Sequence, residues 1–162
     1  MIYLPEHIER IVSEITSVGR PVYYMFGNWQ EVCNELAEKR TKEMEGKKDP
    51  LLLLHNDYIE KVDTSNRSIE VDKMDIFIIC QSSPTYTTQQ RYDFNYQATL
   101  NPIVDDFVER VKFGTIFRKM LNKVEYEKKD IYRLYVGDKT NRLPDHLDAV
   151  QLSFNNINYL KT

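Results

Sequence analysis

Apolar residues at Ile8, Ile11, Val12 and Ile15 follow steps of three, one and three, the spacing of a single helical stripe. Pro5 suits the first turn of that helix and Gly19 its exit. The run Pro21-Val22-Tyr23-Tyr24-Met25-Phe26-Gly27 crowds β-branched and aromatic side chains between a proline and a glycine and predicts a short strand. Asn28 followed by Glu31 has the form of a capping box, so a second helix is expected from Trp29, turning Val32, Cys33, Leu36 and Ala37 inward. After Asp49-Pro50, the unbroken run Leu51 to Leu54 predicts a strand covered on both faces. The polar stretch Asp63 to Ser68 reads as a loop or hairpin tip. Ile69 to Gln81 then alternates, with Met74, Ile76, Ile78 and Cys80 on one side and Val71, Phe77 and Ile79 on the other. Its charges gather in the first half, which predicts a long central strand that begins exposed and ends buried.

Ser82 to Thr88 is a polar connection whose proline and hydroxyl residues favour a turn leading into a helix. Tyr92, Tyr96, Leu100, Ile103, Phe107 and Val111, at steps of four, four, three, four and four, form the clearest helical stripe in the chain. Asn101-Pro102 lies inside it, where proline removes a backbone hydrogen bond and is expected to kink or divide the helix. Phe113 to Leu121 either extends this helix past Gly114 or forms a short separate segment. Ile131, Leu134 and Val136 with Tyr132 and Tyr135 suggest a strand ending at Gly137-Asp138. In Ala149 to Leu160 the alternation of Val150, Leu152 and Phe154 slips by one residue before Ile157 and Tyr159, which places a bulge or turn at Asn155-Asn156.

These elements predict a single α+β domain over residues 1–162, with a mixed, mostly antiparallel sheet of about four to five strands packed against two to three helices. A chain of 162 residues is large enough to bury a core without disulfides or metal. With 22 basic and 25 acidic side chains the formal charge is −3, a poor balance for a general nucleic-acid binder, and no sequence-specific nucleic-acid partner is expected. Apolar runs fall far short of the roughly 20 residues that a membrane helix needs, so no membrane partner is expected. The start, Met1 to His7, lacks the basic and apolar regions of a signal peptide, and the reading is of a chain made in the cytoplasm. Cys33 and Cys80, on different elements, read as reduced, buried thiols.

Little in the sequence points to an active site. The five glycines, at 19, 27, 46, 114 and 137, are too dispersed for either common phosphate-binding loop. His7, His55 and His146 are isolated, without metal-ligand spacing, so neither a metal nor a cofactor is expected. The best enzymatic case is a small metal-dependent nuclease built on Glu60, Glu70 and Asp72 with Lys73. On a strand, however, Asp72 and Lys73 point to opposite faces, and an exposed, charged strand start accounts for the same residues. The expectation is therefore that the chain is not an enzyme.

Interaction chemistry is more prominent. Eleven tyrosines supply large contact area with a polar tip, a composition common at protein interfaces. Residues 38–48, EKRTKEMEGKK, read either as a solvated helix end and loop or as a charged insertion or arm that binds a partner through Lys39, Arg40, Lys42, Lys47 and Lys48. The polar loop 82–90 and the helix start after it supply the second group of candidate partner contacts: Tyr86, Gln89, Gln90, Arg91 and Tyr92.

The order of elements, with the stretches IFIICQ, QSSPTYTTQQRYD, LNPIVDDFVERV and LDAVQLSFNNINY, resembles the phage tail-completion proteins, the tail-terminator (lambda gene U-like) group of minor tail proteins. That resemblance implies a structural virion subunit that assembles with itself into a ring, with a hexamer as the implied form, at the head-proximal end of the tail tube. There it would stop tube polymerisation and join tail to head, touching the tail tube protein and a head-tail connector protein. It implies location at the head-tail junction of the virion. A head-tail connector, or neck, ring protein is the neighbouring alternative. The group has no fixed motif, so the resemblance assigns no individual residue.

Overall fold

The computed structural model describes residues 2–38, 49–65, 68–118, 124–134 and 146–160. Pro5 opens helix α1 (Leu4–Ser17), whose stripe of Leu4, Ile8, Ile11, Val12 and Ile15 is buried. Gly19, at φ +99°, turns the chain out of the helix in a conformation that a Cβ would oppose. Strand β1 (Tyr23–Gly27) leads into helix α2 (Trp29–Glu38), and the capping box is present: Glu31 N donates to Asn28 Oδ1 at 3.0 Å and Asn28 N to Glu31 Oε2 at 2.8 Å. Val32 is buried as expected, while the side chains of Cys33, Leu36 and Ala37 lie outside the described residues. Cys80 is buried as a thiol.

Strand β2 (Leu51–His55) runs parallel to β1 and antiparallel to β4 (Ser68–Ser82). Its leucines divide between two cores, because alternate residues of a strand point to opposite faces. Leu52 and Leu54 join α1 and the long helix on one face; Leu51 and Leu53 join Val32, Phe77 and Ile79 under α2 on the other. The main sheet has the order β1-β2-β4-β7-β6, with β6 at Tyr126–Leu134 and β7 at His146–Phe154. Three short strands extend it: β3 (Ile59–Val62), β5 (Phe117–Arg118) and β8 (Ile157–Leu160). The fold is α+β with a mixed sheet. Its eight strands among the described residues exceed the expected four to five, since strands of two to four residues are too short to show alternation.

The asparagine pair breaks the last strand as its pattern implied. Asn156 adopts φ +57°, and Phe154 and Ile157, of opposite parity, face the same core. The long strand carries a matching slip that alternation alone did not reveal. Met74 lies opposite Phe154 and Val71 opposite Ile157, so Val71 shares the core of Met74 rather than the side of Phe77. With Ile69 and Val71 both buried, β4 does not begin exposed.

The long helical rod consists of α3 (Thr88–Arg91), a π-helical segment (Tyr92–Leu100) and α4 (Asn101–Phe113). Pro102 divides it by winding: Asn101 N–H still reaches back five residues to the Tyr96 carbonyl, and Pro102 then occupies the first turn of α4, where the winding changes. The rod ends at Gly114, where a Cβ would collide with the Arg110 carbonyl oxygen. The chain then forms β5 against β8, so no helix continues past Gly114.

Within α1, His7 is 5% exposed, packs edge-on against Tyr159 at 5.2 Å, and neither ring nitrogen has a hydrogen-bond partner. Burial first, and the positive charge of Arg10 second, hold its pKa below the ordinary 6.5, with Glu6 opposing them. The folded chain therefore binds the proton less readily than the unfolded chain. Its stability is complete above about pH 6.5 and declines as pH falls below that value towards the lower folded pKa. Thermal unfolding followed from about pH 8 to about pH 5 should show this decline, flattened in His7→Phe; a wild-type midpoint constant across that window contradicts the assignment.

Candidate interaction surface

Ser83 to Thr87 form a turn in which Tyr86 N donates to Ser83 O at 3.2 Å. Thr87 then caps the rod: Gln90 N donates to Thr87 Oγ1 at 3.2 Å and Thr87 N to Gln90 Oε1 at 2.9 Å. These reciprocal bonds satisfy donors that a helix start would otherwise leave unpaired. Gln90, a sequence candidate for partner contact, thus has its side-chain oxygen engaged in the cap. Gln89 is exposed and bonds Asp93 through Nε2 at 3.0 Å.

Arg91 is a correction. It is 1% exposed, so it does not present itself to a partner. Its Nη1 lies 2.6 Å from Oδ1 of Asp148, itself fully buried on β7, and its Nη2 donates to Ser83 O at 3.1 Å. Asn95 Nδ2 donates to the other Asp148 oxygen at 2.7 Å and to Ser82 Oγ at 2.8 Å, while Arg133 N donates to Asp148 Oδ1 at 3.0 Å. One carboxylate therefore ties the polar loop, the rod and the β6-β7 pair together. Sequence reading missed this centre because Arg91 and Asp148 are far apart in the chain: Arg91 stands in a polar stretch, and Asp148 is a lone charge between Leu147 and Ala149.

The buried Arg91–Asn95 stripe defines the surface around it. On a helix, residues 92 and 94 fall on the two shoulders of the face opposite 91 and 95. Tyr92 is exposed on one shoulder, on the side of Tyr132 of β6, whose ring stacks on buried Tyr96 with centroids 4.4 Å apart. Phe94, 53% exposed, lies on the other shoulder against Tyr86 at 5.3 Å. The Tyr96 hydroxyl donates to Ala149 O at 3.1 Å, and burial, then the Asp148 charge, keep it protonated well above the usual tyrosine range. Tyr92 beside Tyr132, and Phe94 against Tyr86, are thus two aromatic pairs on the two shoulders of the rod start; sequence reading singled out neither Phe94 nor Tyr132. Lys39, Arg40, Lys42, Lys47 and Lys48, with the charged insertion they belong to, lie outside the described residues.

Of the carboxylates considered for a nuclease, Glu70 and Asp72 meet at the Asn156 amide, while Glu60 is engaged elsewhere. Glu60 accepts from the Tyr159 hydroxyl at 2.7 Å and Asp72 pairs with Lys61 at 3.2 Å. With its amide nitrogen turned toward them, Asn156 donates to Asp72 at 3.3 Å and Glu70 at 3.2 Å. Lys73 lies between Asp57 and Asp75, at 3.7 and 3.8 Å. Among the described residues no three histidine, cysteine or acidic side chains are grouped to hold a metal ion. A cleft of about 590 Å³ at the far end of the rod, between α1 and the end of α4, is lined by charges of both signs, and Arg110 pairs with Glu14 there at 3.0 Å. No described helix is long and apolar enough to cross a membrane.

Comparison with protein-family models, with curated proteins and with solved structures finds no match.

Proposed function

We propose that this chain is a structural subunit of a phage virion: a tail terminator, or completion protein, that closes a ring at the head-proximal end of the tail tube, stops its polymerisation and joins tail to head. The two exposed aromatic pairs at the rod start carry the reading. Tyr92 and Phe94 project from a helix start whose position is held by a buried ion pair, and Tyr86 and Tyr132 back them. Rigid, partly exposed aromatics of this kind concentrate binding energy at protein interfaces, because they bury large area at small entropic cost. The tail tube protein and a connector protein are the proposed partners, besides further copies of the chain. Work of this sort is done by geometry, through head-to-tail contacts that close at one rotation angle.

Native mass spectrometry should show a closed ring, or a subunit that closes into one only when tail tube protein is added. Tyr92→Ser combined with Phe94→Ser should weaken ring formation at least tenfold, since a single hot-spot aromatic contributes about 2 kcal/mol or more. Both side chains are exposed in the subunit, so its thermal midpoint should barely move. Species no larger than dimers, with and without tube protein, would reject the ring.

A further inference from the structure

The outer edge of β1, which no other described strand covers, leads beyond that reading. Tyr23 N donates to Pro50 O at 2.9 Å and Asn56 N to Gly27 O at 3.0 Å, so the main-chain groups at odd positions of β1 point to β2. By strand alternation those at even positions point away from the sheet. Two of the even positions are closed from within. Thr16 Oγ1 donates to Val22 O at 3.1 Å and accepts from Val22 N at 3.2 Å, and Asn28 N donates to Glu31. Between these stops lie Tyr24 and Phe26, and no described strand pairs with them.

The two edges of the main sheet differ in chemistry. Strand β6 carries Glu127, Lys128, Lys129, Asp130 and Arg133, and its register with β7 breaks between Ile131 and Leu134, where Arg133 adopts φ +60°. Charge and irregularity are the usual means of keeping an edge from pairing. Strand β1, YYMFG, has neither: it carries no charge, and Tyr23 and Phe26 are 39% and 43% exposed. A neutral, aromatic edge favours a neutral occupant over the charged, irregular β6 of another copy.

We infer that β1 is a two-fold joint, paired antiparallel with β1 of a second copy about an axis at Met25. In that register Tyr24 meets the second copy's Phe26, so every outward N–H and C=O of the window finds its counterpart and none is left over. The side chains match as well. Tyr24 lies across from Phe26, an aromatic cross-strand pair, and Tyr23 lies across from Gly27, where an aromatic ring covers the bare backbone of an edge glycine. A contact of this kind is isologous and closes at two copies. It needs no ring; in a ring-forming subunit it joins two rings face to face.

The joint has a geometric signature. Met25 faces its own counterpart as a non-hydrogen-bonded pair, with Cα atoms about 4.5 Å apart, within disulfide range. In a Cys33→Ser background, Met25→Cys should form a disulfide-linked dimer under mild oxidation. Tyr23→Cys should not, since its two copies lie about 13 Å apart. Phe26→Lys, which places a charge in the edge, should reduce Met25→Cys crosslinking to background. Wild-type protein in multi-angle light scattering should move from monomer to dimer with concentration, or from single to paired rings. A wild-type chain that never pairs, or equal crosslinking from Tyr23→Cys and Met25→Cys, overturns the joint. The ring reading is tested separately: Tyr92→Ser with Phe94→Ser breaks rings without touching the Met25 crosslink, and Phe26→Lys does the reverse.

Discussion

Asp148→Ala is expected to lower the unfolding free energy by about 3–5 kcal/mol, among the largest losses any single substitution in this chain should produce. The carboxylate sits fully buried beside a guanidinium that is 1% exposed, and it also accepts from Asn95 Nδ2 and Arg133 N. Removing it leaves a buried cation with Ser83 O as its one partner among the described residues, and leaves the Arg133 N–H without its acceptor. Arg91→Met should also be costly, because Asp148 then loses its counter-charge. Arg91→Met combined with Asp148→Asn should recover a large part of either loss, since that pair needs no charge compensation and keeps an acceptor for Asn95 or Arg133. Urea denaturation of the three variants measures this directly. Losses that simply add in the double variant would show that the two residues do not act as a pair. The same centre fixes the rod start relative to β6, so Asp148→Ala should also disorder the two aromatic pairs proposed for assembly.

Phe154→Ala is expected to cost about 3–5 kcal/mol by the loss of a fully buried ring and the cavity left behind. Phe154 packs edge-on against Phe107 of the rod at 5.9 Å and at a tilt over Tyr126 of β6 at 5.4 Å, and it stands opposite Met74 just before both strands change phase. No single neighbour can close such a gap, because the rod, β6 and β4 are each held by other contacts. Phe154→Leu, which refills part of the volume, should cost clearly less. A thermal midpoint in Phe154→Ala within about 2 °C of wild type would mean that the site is not a packing centre.

Most elements with a clear repeat were legible in the chain itself. The stripe of α1, the leucine run of β2, the Asn28–Glu31 cap and the turn at Asn155-Asn156 are consequences of neighbouring residues, and local rules find them. Strand β3 was not legible: four residues, IEKV, at a sheet edge with little burial give alternation nothing to act on. Nor was the slip at Asp72-Lys73, where parity assigns Val71 to one face and the pairing with Ile157 assigns it to the other. Of the described candidate contacts, Tyr86, Gln89 and Tyr92 stand at the surface, Gln90 serves the helix cap, and Arg91 is inside.

The sequence by itself determined the α+β class, the two-sided burial of the central strands and the neutral, aromatic character of β1. Each depends on side-chain type and spacing over a few residues. Tertiary structure alone decided that Arg91 and Asp148 neutralise each other and that Tyr92 and Phe94 flank them. It also left Tyr24 and Phe26 with no further strand beside them among the described residues. Those outcomes depend on distances between segments far apart in the chain, and a charge or a ring reads the same in sequence whether its partner is water or a residue from the other end of the molecule.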